Sequence, residues 1–106
     1  MLQEQAQQVA TAERTGRPEI VFFGSSRSGH CRRVEGFIAQ VLQRRRNHET
    51  FDLVRVSVER RPDLAEKFRI EQVPTICVVE GRKLCRTIVA PRGCRELERE
   101  LEPWLH

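Results

Sequence analysis

The residue of this sequence best suited to chemistry is Cys31, which follows a short turn rich in serine and glycine. Ser28, Gly29 and His30 come directly before it, and an apolar stripe with helical spacing begins three residues later at Val34. Cys31 therefore lies in the first turn of a predicted helix, where amide dipoles stabilise a thiolate. Neighbouring cations add to this stabilisation, and the sequence supplies three of them: Arg27, Arg32 and Arg33.

The same spacing supports a second interpretation, in which Cys31 is a core residue. Because Cys31 precedes Val34 by three residues, its side chain points toward the apolar stripe, and burial there favours the neutral thiol. His30 is likewise either a modulator of the thiolate or an ordinary solvated histidine. Ser28 is better explained as the N-cap of the helix than as a catalytic hydroxyl, since the only candidate base is His30.

Three further cysteines stand at Cys77, Cys85 and Cys94, and their spacing matches no zinc-binding pattern. We therefore predict neither a metal nor a cofactor. Cys77 falls in a predicted strand, and Cys94 lies three residues before Leu97 on the apolar face of the last helix. Both are predicted to be small core residues rather than redox partners. The sequence assigns no role to Cys85.

Hydrophobic patterning predicts the elements that position Cys31. Residues 20–23 form a continuous apolar run, which is typical of a strand covered on both faces. The helix that contains Cys31 buries one stripe of residues: Val34, Phe37, Ile38, Val41 and Leu42. An additional helix is predicted near the N-terminus, over residues 2–13.

The second half of the chain adds three strands and two helices. A strand is predicted over residues 51–58, a short helix from Pro62, and a hairpin from residues 75–79 and 84–89. The last helix begins near Gly93, and Pro103 kinks or ends it. The predicted order is α-β-α-β-α-β-β-α. This order implies an α/β fold with a mixed four-stranded sheet flanked by helices.

Composition places the chain among ordinary globular proteins. Its 106 residues, 39% of them hydrophobic, predict one domain over 1–106, with an N-terminal helix and loop at 1–18 and a core at 19–106. No signal peptide or membrane-spanning run is present in the sequence, so we expect a cytoplasmic monomer without a membrane partner. The net charge is +4, but the arginines are scattered among many glutamates and no aromatic residues interleave with them. Nucleic acid is therefore the less favoured partner.

Residues 54–75 resemble the thioredoxin family. A strand runs into an acidic residue and a proline-led helix, followed by an aromatic residue and then Ile-x-x-Val-Pro-Thr at residues 70–75. Val73, Pro74 and Thr75 match the cis-proline loop of that family, which faces the active-site thiols and binds the backbone of the substrate. The resemblance covers residues 20–105 and implies a thioredoxin-like fold without the family's first strand. It also assigns Gly29 and the Val73–Thr75 loop to substrate binding.

The active-site position departs from the family pattern. Where the family carries Cys-x-x-Cys, residues 28–31 read Ser-Gly-His-Cys, and a serine hydroxyl cannot begin thiol–disulfide exchange at neutral pH. Phe22 replaces a buried aspartate of the family, and Arg27 replaces a tryptophan. The resemblance then implies a thiol protein in which Cys31 alone forms mixed disulfides with a client protein or a small thiol. The alternative is a non-catalytic binding or assembly module, so whether the protein is an enzyme is open at this point.

Overall fold

The computed structural model describes residues 16–44 and 50–105. Within these residues, four strands and three α-helices are followed by a short 3-10 helix. In chain order they are β1 (Glu19–Gly24), α1 (Gly29–Arg44), β2 (Asp52–Ser57), α2 (Pro62–Lys67), β3 (Thr75–Glu80), β4 (Lys83–Val89), α3 (Cys94–Leu101) and the 3-10 helix Glu102–Trp104. The helix predicted over residues 2–13 lies outside the described residues.

The four strands form one mixed sheet with the order β2-β1-β3-β4. Strand β1 is parallel to β2 and antiparallel to β3, and β3 pairs with β4 as an antiparallel hairpin. The prediction of a mixed four-stranded sheet flanked by helices is therefore confirmed. Because β1 has a neighbouring strand on each side, its carboxyl end at Gly24 lies between the ends of other strands rather than at the margin of the sheet. Helix α1 begins a short turn later.

Alternation along β1 builds a core on each face of the sheet. Ile20 and Phe22 join the cluster that includes Cys31 and the apolar stripes of α1 and α3. Val21 and Phe23 join the cluster on the opposite face, beneath α2. Every residue of β1 is buried, as expected for a central strand whose apolar run is covered on both sides.

Two prolines set helix boundaries as the sequence predicts. Pro62 is the first residue of α2, where its missing N–H would have no intrahelical partner. Pro103 lies in the 3-10 helix that follows α3, so α3 ends at Leu101. No helix in the described parts of the chain has the length and apolar character needed to cross a membrane.

The structure confirms the predicted core position of Cys77 but corrects that of Cys94. Cys77 is fully buried in β3. Cys94 is only half-buried, and its thiol donates a hydrogen bond to Gln40 Oε1 at 2.9 Å. Cys94 is the first residue of α3, so it packs at the margin of the core while Leu97, one turn later, is completely enclosed.

Candidate functional site

Ser28 and Cys31 form the start of α1. Ser28 Oγ accepts a hydrogen bond from the backbone N–H of Cys31 at 3.2 Å, which is the bond of an N-cap serine to the third residue of its helix. The N–H of Ser28 donates to the carbonyl of Ser25 at 3.2 Å and closes the preceding turn. The serine that stands in place of a cysteine therefore has a structural partner of its own.

The sulfur of Cys31 receives a hydrogen bond from the turn. The backbone N–H of Ser25 lies 3.4 Å from Cys31 Sγ and donates to it. Only 4% of Cys31 is exposed, and the residue belongs to the core cluster beneath α1. A backbone donor and a helix N-terminus both stabilise negative charge on an atom placed there. Cys31 is therefore buried, as a core residue would be, and its sulfur also accepts a hydrogen bond, as a reactive thiol would.

The other cysteine sulfurs lie in different surroundings. Burial raises the pKa of the Cys77 thiol to about 11, partly offset by a hydrogen bond with Thr87. Cys85 Sγ donates to the carbonyl of Lys83 at 3.6 Å, and Cys94 donates to Gln40 as described above. Cys31 differs from the other cysteines in accepting a backbone N–H at its sulfur.

Gly24 and Phe22 shape the side of Cys31 that faces β1. A Cβ atom at Gly24 would lie 2.9 Å from Phe22 Cε1 and 3.6 Å from Cys31 Cβ. Glycine at the end of β1 therefore allows the Phe22 ring and Cys31 to approach each other. Phe22 shares the core cluster of Cys31, and its aromatic ring supplies neither a charge nor a proton acceptor.

His30 is held by the loop between β4 and α3. Its Nε2 atom lies 3.2 Å from the carbonyl oxygen of Pro91, so the ring donates a hydrogen bond there when Nε2 carries the proton. The side chain is half-buried rather than freely solvated. The role of His30 as a modulator of Cys31 stays a prediction.

The loop before β3 lies against the same cluster as Cys31. The Val73–Pro74 peptide bond is cis. The side chain of Val73 packs against the cluster that contains Cys31, and Pro74 is buried. Thr75 is 2% exposed, and its hydroxyl donates to the carbonyl of Gln72 at 2.6 Å. The structure thus brings the Val73–Thr75 loop and Cys31 together, although they are more than forty residues apart in sequence.

Ala90 and Pro91 join these two parts of the site, and sequence reasoning missed both residues. The N–H of Ala90 donates to the carbonyl of Pro74 at 2.8 Å, and the next residue, Pro91, binds His30. Ala90 has a φ angle of 44°, in the left-handed region that is uncommon for a residue with a side chain. Proline at position 91 was the only available signal of a special loop conformation.

A cleft of about 450 Å³ lies between α1 and β2, next to Cys31. Among its lining residues Phe22, Gly24 and Cys31 are buried, whereas Arg32, Arg55 and Arg60 are exposed. We call it the β2-side cleft. Because β1 lies between β2 and β3, this cleft and the Val73–Thr75 loop approach Cys31 from different sides. In the described parts of the chain, no group of three or more His, Cys, Asp or Glu side chains is arranged to hold a metal ion.

A helix that carries Cys31 in its first turn follows the central strand β1, and a cis-proline loop packs on the same core cluster; this arrangement defines a thioredoxin-type domain. The protein belongs to the thioredoxin family, because the family model named Thioredoxin matches residues 2–103. A curated relative, the bifunctional thioredoxin reductase/thioredoxin of Mycobacterium leprae, is 25% identical over 87 residues. These residues are 82% of this chain but only 19% of that relative, so the chain spans about a fifth of its length.

Solved thioredoxins have the same fold at low sequence identity. Thioredoxin O2 from Arabidopsis thaliana is 17% identical with a TM-score of 0.78, and the match covers 97% of this chain and 88% of that one. The germline-specific thioredoxin Deadhead from Drosophila melanogaster is 11% identical with a TM-score of 0.80, and here the match covers 99% and 95%. At these identities the likeness concerns the fold. The predicted thioredoxin-like architecture is confirmed.

Proposed function

We propose that this thioredoxin-family protein takes part in cellular redox chemistry through a single thiol, that of Cys31, which forms mixed disulfides with a client protein or a small thiol. One observation carries the proposal. Cys31 Sγ accepts the N–H of Ser25 in the first turn of α1, so the backbone directs a hydrogen-bond donor at the sulfur.

The proposed step exchanges one disulfide for another. The Cys31 thiolate attacks one sulfur of a disulfide in the partner, a bond forms between Cys31 Sγ and that sulfur, and the other half leaves as a thiolate. Because Ser28 is not a thiol, no second cysteine at the helix start resolves the mixed disulfide from within. Release therefore requires a second, external thiol. This requirement distinguishes the proposed activity from the cycle of a dithiol reductase.

Hydrogen bonding within the loop before β3 indicates where a client backbone would pair. The carbonyl of Pro74 already accepts the N–H of Ala90, and Thr75 pairs with Phe23 and Val89 in the sheet. The backbone N–H and C=O of Val73 make no hydrogen bond with any described residue. Of the loop residues that the family resemblance assigns to substrate binding, Val73 is therefore the one with backbone groups available to a client.

One observation favours the alternative of a non-catalytic binding module. Cys31 is 4% exposed and shares its cluster with Phe22 and Val34, as a purely structural cysteine would. In that case the sulfur would react only after the protein unfolds. The two candidates therefore differ in the reactivity of Cys31 in the native protein.

Alkylation of the native protein with iodoacetamide at neutral pH, followed by peptide mapping, separates the candidates. Exposure alone predicts that the half-buried Cys85 and Cys94 react before Cys31. A stabilised thiolate predicts the reverse order, with Cys31 modified first. The Cys31→Ser variant should lose the fast phase, whereas the matched Cys94→Ser variant should keep it. Protection of Cys31 until the protein is unfolded in urea would support the binding module instead.

A further inference from the structure

The β2-side cleft carries unbalanced positive charge. Arg55 is neutralised by Glu35, whose Oε2 atom lies 2.5 Å from Arg55 Nε. Arg32 and Arg60 also line the cleft, both are exposed, and neither pairs with an acidic side chain in the described parts of the chain. Two cationic side chains in the cleft are therefore available to a ligand.

Glu59, the acidic residue that precedes Arg60 in the chain, does not cancel this charge. Glu59 lies 3.8 Å from Arg27 Nε and accepts a hydrogen bond from Ser25 Oγ at 3.0 Å. Arg27 thus balances the charge of Glu59, which is not among the residues that line the cleft. The positive charge of Arg32 and Arg60 remains.

The lining and size of the cleft indicate a small ligand with both an apolar part and a polar part. Phe22, Gly24 and Cys31 provide a buried apolar surface, and Ser25, Ser26 and Ser57 add small polar residues. A volume of about 450 Å³ is in the range of small-molecule sites. Cys31 is itself one of the residues that line the cleft, so a bound molecule lies next to this residue.

We propose that the β2-side cleft binds a small anionic disulfide, with its carboxylate groups on Arg32 and Arg60 and its sulfur atoms against Cys31. This inference rests on the proposed function and names the chemical class of the partner. The Cys31 thiolate attacks one sulfur of the bound disulfide, a bond forms between Cys31 Sγ and that sulfur, and the S–S bond of the ligand breaks. The other half leaves as a thiolate that takes up a proton from water. The positive charge of Arg32 and Arg60 selects negatively charged reagents over positively charged ones.

Three reagents of similar length test the charge preference: dithiodipropionate is anionic, hydroxyethyl disulfide is neutral and cystamine is cationic. Formation of the Cys31 adduct is followed by intact mass, and each rate is divided by the rate of the same reagent with urea-unfolded protein. This division removes the intrinsic reactivity of the reagent. We expect the normalised rate of dithiodipropionate to exceed that of cystamine about tenfold at low salt. The ratio should approach one at high salt, where the charges are screened.

Charge-removing variants identify the residues responsible. Arg32→Gln and Arg60→Gln should each lower the rate of the dithiodipropionate reaction about threefold relative to the rate of the neutral hydroxyethyl disulfide, and should raise the relative rate of the cystamine reaction. The neutral reagent corrects for any change in the reactivity of Cys31 itself. Arg99→Gln is the matched control, because Arg99 is an exposed arginine of α3 that does not line this cleft. It should leave all three rates unchanged.

A binding measurement separates failure of this inference from failure of the proposed function. Suberate is dithiodipropionate with two methylene groups in place of the sulfurs, so it cannot react with a thiol. Equal normalised rates for all three reagents would overturn the anion preference and leave the reactive thiol in place. Shifts of the Arg32 and Arg60 side-chain NMR signals by suberate, with no reaction at Cys31, would support the anion site and overturn the proposed function. If suberate shifted neither signal and Cys31 did not react, both the anion site and the proposed function would be overturned.

Discussion

Ser28 Oγ lies 3.2 Å from the backbone nitrogen of Cys31 and accepts its hydrogen bond, so the serine fixes the start of the helix on which the cysteine stands. A cysteine at position 28 would be the attacking thiol of a dithiol site, whereas the serine is a helix cap. Position 28 thus carries a helix cap in place of a second reactive thiol.

Replacing this cap should cost measurable stability. Ser28→Ala removes the acceptor of the Cys31 N–H, and we expect the free energy of unfolding in urea to fall by about 1 kcal/mol. Ser26→Ala is a suitable control, because Ser26 is exposed in the same turn and makes no hydrogen bond with a described residue. It should change stability by less than about 0.5 kcal/mol. Equal effects of the two substitutions would show that Ser28 does not act as the cap.

The wild-type protein should reduce insulin little or not at all, because Cys31 has no second thiol to release a mixed disulfide. Ser28→Cys restores Cys-Gly-His-Cys at the start of α1, and we expect a disulfide with Cys31 together with measurable insulin reduction. The activity should remain below that of a dithiol thioredoxin, since Phe22 offers no carboxylate to take the proton from Cys31.

Ser26→Cys provides the control for that gain, because it introduces a thiol in the same turn but outside the Cys-x-x-Cys spacing. It should leave insulin reduction at the wild-type level. If Ser28→Cys folds but forms no disulfide with Cys31, the start of α1 lacks the geometry of a dithiol site.

The backbone conformation of Ala90 indicates that glycine at this position would stabilise the protein. Its φ angle of 44° is costly for a residue with a Cβ atom but not for glycine. After the greater entropy of a glycine in the unfolded chain is subtracted, Ala90→Gly should stabilise the protein by about 0.5 kcal/mol. The matched Ala65→Gly, within α2, should destabilise it by about 1 kcal/mol. Thermal unfolding measures both, and a lower midpoint for Ala90→Gly would contradict the left-handed conformation.

The Asp63–Arg61 ion pair predicts a pH dependence of stability. Hydrogen bonds from the Arg61 guanidinium, at 2.7 and 2.9 Å, lower the pKa of Asp63 from 3.8 to about 2. Because the folded pKa is the lower one, the pair stabilises the fold fully above about pH 4 and loses this contribution as the pH falls toward 2. Asp63→Asn should therefore flatten the decline of stability over that interval. An identical decline in both proteins would contradict the assignment.

Patterns that are local in sequence predicted much of this structure. The stripe from Val34 to Leu42 predicted the buried face of α1, and the pattern over residues 70–75 predicted the loop that packs on the cluster containing Cys31. The position of Cys94 was wrong because helical periodicity gives the direction of a side chain but not its distance from the centre of the core. A residue in the first turn of α3 points inward and still lies at the margin.

Contacts between distant segments were beyond the reach of the sequence. The bond between His30 and the carbonyl of Pro91 spans 61 residues and uses a backbone oxygen, which every residue type provides. The N–H of Ser25 that binds Cys31 Sγ is likewise a backbone group with no signature in the side chain. Only the folded chain shows that the turn before α1 directs a donor at the sulfur.

Reaction of the native wild-type protein with neutral hydroxyethyl disulfide at neutral pH tests the central claim most directly. The adducts are counted by intact mass and located by peptide mapping without reductant. We expect one adduct, at Cys31, formed before Cys85 or Cys94 reacts, and no such adduct in the Cys31→Ser variant. An unreactive Cys31 in the native protein, or first reaction at Cys85 or Cys94, would contradict the account.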